Sequence, residues 1–168
     1  MRFFCVIVLI LSLCACSARP AQVRCEPLTD FTCTAECTQE DTAFTFTLTV
    51  SADGTFRLYT EQPENLSGVG FIFEENRITT DANGITDTFR ISAFTEQSPV
   101  RQLFESLQAF LFTGTEVLTA MGDDTYAAQR TIGTTTAIAC ITQDGLLQSL
   151  QIPETNTTFT FHSYNQTE

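Results

Sequence analysis

Phe44-Thr45-Phe46-Thr47-Leu48-Thr49-Val50 alternates an apolar side chain with threonine through seven consecutive positions. Successive side chains of a strand point to opposite faces, so this period of two makes one face of Phe44, Phe46, Leu48 and Val50 and another of hydroxyls. Aromatic and β-branched residues also favour the pleated backbone. The stretch predicts a half-buried antiparallel strand. Upstream, Phe31, Cys33, Ala35 and Cys37 alternate with Thr32, Thr34 and Glu36 in the same way. Downstream, Asp53-Gly54 is a hairpin signal leading into a partner strand over Thr55 to Thr60. Val69 to Phe73, Arg77 to Thr80 and Thr86 to Ser92 continue the series, parted by turns at Glu75-Asn76 and Asn83-Gly84. A meander of about six strands therefore precedes any helix.

The period changes at Ser98-Pro99, a cap residue followed by proline at the first helical position, where its missing N–H costs nothing. Val100, Leu103, Phe104, Leu107, Phe110 and Leu111 recur at helical spacing, which predicts a helix lying on the sheet with one apolar stripe. Gly114 interrupts it, and Thr115 to Met121 predicts a second short helical turn. Strands resume over Tyr126 to Ile132, Thr135 to Thr142, Leu147 to Ile152 and Thr158 to His162, with a turn at Asp144-Gly145 and Pro153 closing the penultimate strand. The tail after Tyr164 is expected to fray.

The N-terminus carries a different signal. Arg2 supplies a positive start, Phe3 to Leu13 an apolar run too short to span a bilayer stably, and Leu13-Cys14-Ala15-Cys16 the cut site. The cysteine directly after Ala15 resembles the lipobox of bacterial lipoproteins, although Cys14 occupies a slot where those proteins usually carry serine or alanine. The resemblance implies cleavage before Cys16, which becomes the lipidated N-terminus and the membrane attachment. A plain secretory signal cut near Ala18 is the alternative. The expected organisation is a signal over 1–15, anchor and tether over 16–30, one domain over 31–164 and a tail over 165–168. The address would be the extracytoplasmic face of the cell membrane, with the outer membrane open where the host has one.

Charge bounds the partners. The chain of 168 residues carries 20 acidic and 8 basic residues, net −12, so nucleic acid is an unsuitable partner and is excluded. Beyond the signal, no second apolar stretch approaches bilayer length. Of the seven cysteines, Cys25, Cys33, Cys37 and Cys140 would remain in the exported domain beside the anchor. In an oxidising compartment they could form disulfides, with Cys25 or Cys140 as partner for Cys33 or Cys37. A Cys33–Cys37 bridge along one strand is unfavourable, because extended residues i and i+4 lie about 13 Å apart. Buried free thiols are the competing reading. Zinc is disfavoured by the absence of a Cys-x2-Cys knuckle and by the remoteness of the single histidine, His162. No metal and no cofactor is expected. Nor does catalysis have a foothold: His162 falls in the last strand, and the carboxylate pairs Glu74-Glu75 and Asp123-Asp124 fall in turns where solvation explains them.

Meander, helix, then strands is an order that resembles the LolA-like family of lipoprotein carriers and related lipoproteins of Gram-positive bacteria. The particular echoes are Pro63-Glu64-Asn65-Leu66-Ser67-Gly68 leading into Val69-Gly70-Phe71, and Asp144-Gly145-Leu146 with Leu150-Gln151-Ile152-Pro153. The resemblance implies a mainly β fold with a small α part: a curved antiparallel, incompletely closed barrel wrapped around one or two helices. Some members of the family hold acyl chains between sheet and helix. The helical region here, Ser98 to Met121, is shorter than the inserts of a dedicated acyl carrier. The rings expected to face the sheet–helix space are Phe44, Phe46, Phe56, Phe71, Phe73, Phe89, Phe104 and Phe110. They either form a filled core or line a cleft for a lipid or acyl ligand. Two functions follow from these alternatives: a non-enzymatic lipoprotein that binds a hydrophobic ligand, or an envelope assembly lipoprotein that docks another protein through its acidic surface.

Overall fold

The structure is a computed structural model that describes residues 29–112, 118–122 and 124–166. Residues 1–15, expected from the sequence to be a signal, lie outside the described residues, as do Cys16, Cys25 and Asp123. Eleven antiparallel strands form one sheet. In chain order they are β1 (Phe31–Gln39), β2 (Thr42–Val50), β3 (Phe56–Gln62), β4 (Val69–Glu74), β5 (Arg77–Ala82) and β6 (Ile85–Arg90), then β7 (Thr119–Gly122), β8 (Thr125–Ile132), β9 (Thr135–Thr142), β10 (Leu147–Ile152) and β11 (Thr157–Gln166). Among the described residues one α-helix, α1 (Pro99–Phe112), separates the two groups.

The spatial order β6-β5-β4-β3-β2-β1-β11-β10-β9-β8-β7 explains the architecture. Two meanders are joined in the middle by the pairing of β1 with β11, in which Ala35 faces Phe161 and Cys37 faces Phe159. The free edges are therefore β6 and β7, which are neighbours in sequence through α1. A chain leaving one edge to start the other must cross the face of the sheet, and the helix does so. Phe104 of α1 stacks on Phe73 of β4 with ring centroids 4.7 Å apart, while Phe110 lies under the Arg130 guanidinium of β8, 5.9 Å from the ring centroid. Those two strands stand seven places apart, about 34 Å along a flat sheet at 4.8 Å per strand. One helix of about 10 Å diameter can meet both only if the sheet curls around it. The result is an open, curved antiparallel sheet wrapped on α1, the mainly β class expected.

Alternation decides which residues face the helix. Phe31, Cys33, Ala35 and Cys37 of β1 are buried, as are Phe46, Leu48 and Val50 of β2, while their threonine neighbours lie on the outer face. Leu103, Phe104, Leu107, Phe110 and Leu111 bury one side of α1 against this surface. At Ser163 (φ 54) a bulge interrupts the β1–β11 register between Thr32 and Thr34. The extra residue restores the inward direction at Tyr164, whose ring packs on Phe31 at 5.1 Å and whose hydroxyl donates to the Leu147 carbonyl. Strand β11 runs on to Gln166, which pairs with Phe31.

The second helical turn expected over Thr115 to Met121 is corrected. Residues 113–117 lie outside the described residues, and Thr119–Gly122 forms edge strand β7, with Thr119 opposite Ala127 and Gly122 opposite Thr125. A helix of one turn is marginal by itself, whereas β8 offers an unpaired row of backbone groups, so pairing wins over local pattern.

Candidate functional site

The space between α1 and the sheet is filled at one end and open at the other. At the filled end, Phe104 makes a stacked contact with Phe73 and an edge contact with Phe56 at 5.4 Å, and Phe112 closes on Phe56 at 5.7 Å. At the other end the first turn of α1 presents only Pro99, Val100 and Leu103, too little volume to reach the strands beneath. A cleft of about 150 Å³ remains. Its walls are Phe44 and Phe46 of β2, Leu58 and Thr60 of β3, Phe71 of β4, with Cys37 of β1, Phe159 of β11 and Leu66 of the β3–β4 connection. Phe44 and Phe71 are half-buried and Leu66 is 37 % exposed, so the cleft opens at the rim. Apart from the Thr60 hydroxyl and the Cys37 thiol, the lining is hydrocarbon.

A polar latch fixes the helix start beside this cleft. Gln102, buried within α1, donates from Nε2 to the Glu96 carbonyl at 3.0 Å and to Thr155 Oγ1 at 3.0 Å. Thr155 in turn shares a 2.8 Å bond with Thr157, to which Gln39 Nε2 donates at 3.0 Å. Gln39 Nε2 also reaches the Gln97 carbonyl at 3.1 Å. Arg101 Nε donates to Glu105 Oε1 at 2.9 Å and its Nη1 to the Phe94 carbonyl at 2.9 Å. Together these bonds tie the segment before α1 to the ends of β1 and β11.

The eight rings singled out in the sequence divide into three groups. Phe44, Phe46 and Phe71 line the cleft. Phe56, Phe73, Phe104 and Phe110 are buried in the core at 1–2 % exposure. Phe89 stands opposite buried Ile78, on the inner face, but edge strand β6 lies beyond the reach of the helix and leaves the ring 43 % exposed against Phe94. Phe89 thus takes no part in the cleft. Leu66, Pro99, Val100 and Phe159 line it without having been singled out for it. Their signal in the sequence is positional: each stands at a turn, a helix start or a strand end.

Cys33, Cys37 and Cys140 carry free thiols. Cys33 and Cys37 face the core, whereas Cys140 projects from the outer face between buried Ala139 and Ile141, next to Gln148. The sheet itself separates Cys140 from the other two. Burial pushes the Cys33 and Cys37 thiols up to about 12, which leaves them protonated and unreactive as nucleophiles. His162 is exposed on the outer face and therefore cannot pair with either thiol. Among the described residues, no group of three or more His, Cys, Asp or Glu side chains could hold a metal ion, and no helix is long and apolar enough to cross a membrane.

No family model matches the chain, and no curated protein matches it. Solved structures do. An uncharacterized conserved protein from Thermus thermophilus is similar over 83 % of this chain and 80 % of its own, with 10 % identity and a TM-score of 0.51. A LolA superfamily protein from Nitrosomonas europaea is matched over 85 % of this chain and 87 % of its own at 7 % identity, TM-score 0.44. A Vibrio parahaemolyticus domain named for outer membrane lipoprotein sorting is matched over 84 % and 87 %, at 10 % identity and a TM-score of 0.46. The likeness to the Thermus protein is one of fold. Function has to be argued from the cleft.

Proposed function

We propose that this chain is a lipid-anchored extracytoplasmic binding protein, not an enzyme, that takes a small hydrophobic or lipid-like group into the cleft between sheet and helix. The observation that carries this reading is the cleft itself: an apolar void with an open rim, in an interface otherwise packed with rings. Interiors are close-packed, and a void lined by Phe, Leu and Val forfeits dispersion contacts that a ligand would restore. Size sets the ligand's scale. A volume near 150 Å³ is that of a cavity able to hold a benzene-sized molecule, below the roughly 300–1,000 Å³ of pockets for drug-sized ligands. One end of a single chain is accommodated, and a diacyl lipid would require α1 to move against its latch. Attachment through Cys16 is supported by the Leu13-Cys14-Ala15-Cys16 pattern.

The test is native mass spectrometry of the domain from Ser17 onward, purified without detergent. Co-purified hydrophobic mass, or retention of an added eight-carbon amphiphile, is the expected result. A clean apo mass that also refuses such probes would overturn the reading. The outcome would then favour the envelope-assembly function, to which β6 lends a specific observation: every residue of this free edge is exposed, Ile85 at 72 % and Phe89 at 43 %. Such an edge can accept a strand from a partner.

A further inference from the structure

Charge is distributed along the strands in a way that bears on what enters the cleft. In the β1–β6 half, Arg57, Arg77 and Arg90 all stand at the filled end, where Phe56 pairs with Phe73 and Arg77 with both Glu74 and Arg90. The cleft end of the same strands carries no arginine. Instead the β1–β2 turn holds Glu40 and Asp41, both exposed, between the cleft residues Cys37 and Phe44. Glu64, also exposed, precedes the cleft residue Leu66 by two positions. Two or three residues correspond to about 10 Å at most, comparable with the screening length of about 10 Å at 0.1 M salt, so each carboxylate acts on a charge at the rim. The neighbouring cation, Arg101, is engaged by Glu105 and the Phe94 carbonyl, with its Nη2 3.9 Å from Glu96, whose carboxylate also accepts from Thr134 Oγ1 of the β8–β9 turn at 3.2 Å and is thus already partnered.

A hydrocarbon cleft with the exposed carboxylates of Glu40, Asp41 and Glu64 close in sequence to its rim residues selects against a free fatty acid or an anionic lipid, whose head group would lie beside them. Resting on the ligand-binding reading above, we propose that the cleft takes a single-chain amphiphile with a cationic head group: the apolar end enters between Phe44, Phe71 and Val100, and the head group stays at the rim among Glu40, Asp41 and Glu64.

Three eight-carbon probes of matched chain test this: octylamine, octyl glucoside and octanoate, titrated calorimetrically into the domain at 10 mM and at 500 mM salt. The expected order at low salt is octylamine tightest and octanoate weakest, separated by at least about tenfold, with the gap collapsing at high salt. A triple change of exposed side chains, Glu40→Gln with Asp41→Asn and Glu64→Gln, should bring octylamine and octanoate to within about threefold at low salt. Octanoate or octyl glucoside binding as tightly as octylamine at 10 mM salt would overturn the charge selection and leave the cleft standing as a hydrophobic site. Refusal of all three probes would remove the site and, with it, this proposal.

Discussion

The two ends of the α1–sheet interface are built from the same residue type and reach opposite outcomes. Phe56, Phe73 and Phe104 at one end interlock as stacked and edge-on pairs at 4.7 and 5.4 Å, with exposures of 1 %. At the other end Phe44, Phe46 and Phe71 line a void of about 150 Å³, because the helical turn above them brings proline and valine in place of a ring. Phenylalanine content therefore says nothing about whether a core is full. What matters is whether the opposing element supplies the complementary volume. The filled end provides rigidity and the open end provides a place for another molecule.

The largest expected effect comes from removing the central ring of the filled end. Phe104→Ala should destabilise the domain by about 3–5 kcal/mol, the usual cost of deleting a buried ring, measured by urea denaturation. A loss below about 1 kcal/mol would mean that the stack with Phe73 is not a supporting element. The buried thiols give the next effect. Cys33 and Cys37 are raised from 9.0 to about 12, so between those values the folded state keeps protons that the unfolded state has lost. Stability should accordingly fall as pH rises above about 9, by at most roughly 1.4 kcal/mol per unit for each thiol. Burial also raises the Tyr164 hydroxyl, in the same direction. Replacing both cysteines by alanine should flatten the slope of denaturation midpoint against pH between 9 and 10.5. An unchanged slope would show the thiols to be solvated.

At the open end the sign of the experiment changes from stability to binding. Phe71→Asp places a carboxylate on the cleft wall and should weaken the uncharged octyl glucoside by at least about tenfold, since a charge facing hydrocarbon must keep water with it. Phe89→Asp, on the exposed edge strand, serves as the control and should leave binding within about twofold. Equal losses at both positions would mean that the ligand sits on the inner face outside the cleft.

The sequence discloses these two ends unequally, and the reason is physical. Strands such as Thr42–Val50 and Thr135–Thr142 announce themselves because one face of each is buried, which fixes the residue type at every second position. Strand β7 does not, because Thr119, Ala120 and Met121 are all exposed and owe their conformation to pairing with β8. The filled core is visible in Phe56, Phe73, Phe104 and Phe110, whose spacing marks them as inward. The cleft is half visible: the period of two selects Phe44, Phe46 and Phe71, but the same period selects Phe89. Which inward ring stays uncovered depends on where the helix crosses the sheet, a tertiary fact that no local pattern encodes. Leu66 and Pro99 escape for the related reason that one lies in the connection between two strands and the other at the start of the helix, where no periodicity marks a face.

The sharpest test of the comparison is to turn the open end into a copy of the filled one. Val100→Phe adds a ring to the first turn of α1, directly above Phe44 and Phe71, in a position already half-buried. The ring enters space that no side chain occupies, so overpacking, which ordinarily costs about 1–3 kcal/mol in a full core, does not arise. Stability should then stay within about 1 kcal/mol of the parent or rise slightly through the buried area gained, while affinity for an eight-carbon probe falls by about fivefold. Binding must fall without a loss of stability beyond about 1 kcal/mol for the argument to hold. A destabilised protein with unimpaired binding would place the ligand elsewhere and make the end beneath Val100 as tightly packed as the end beneath Phe104.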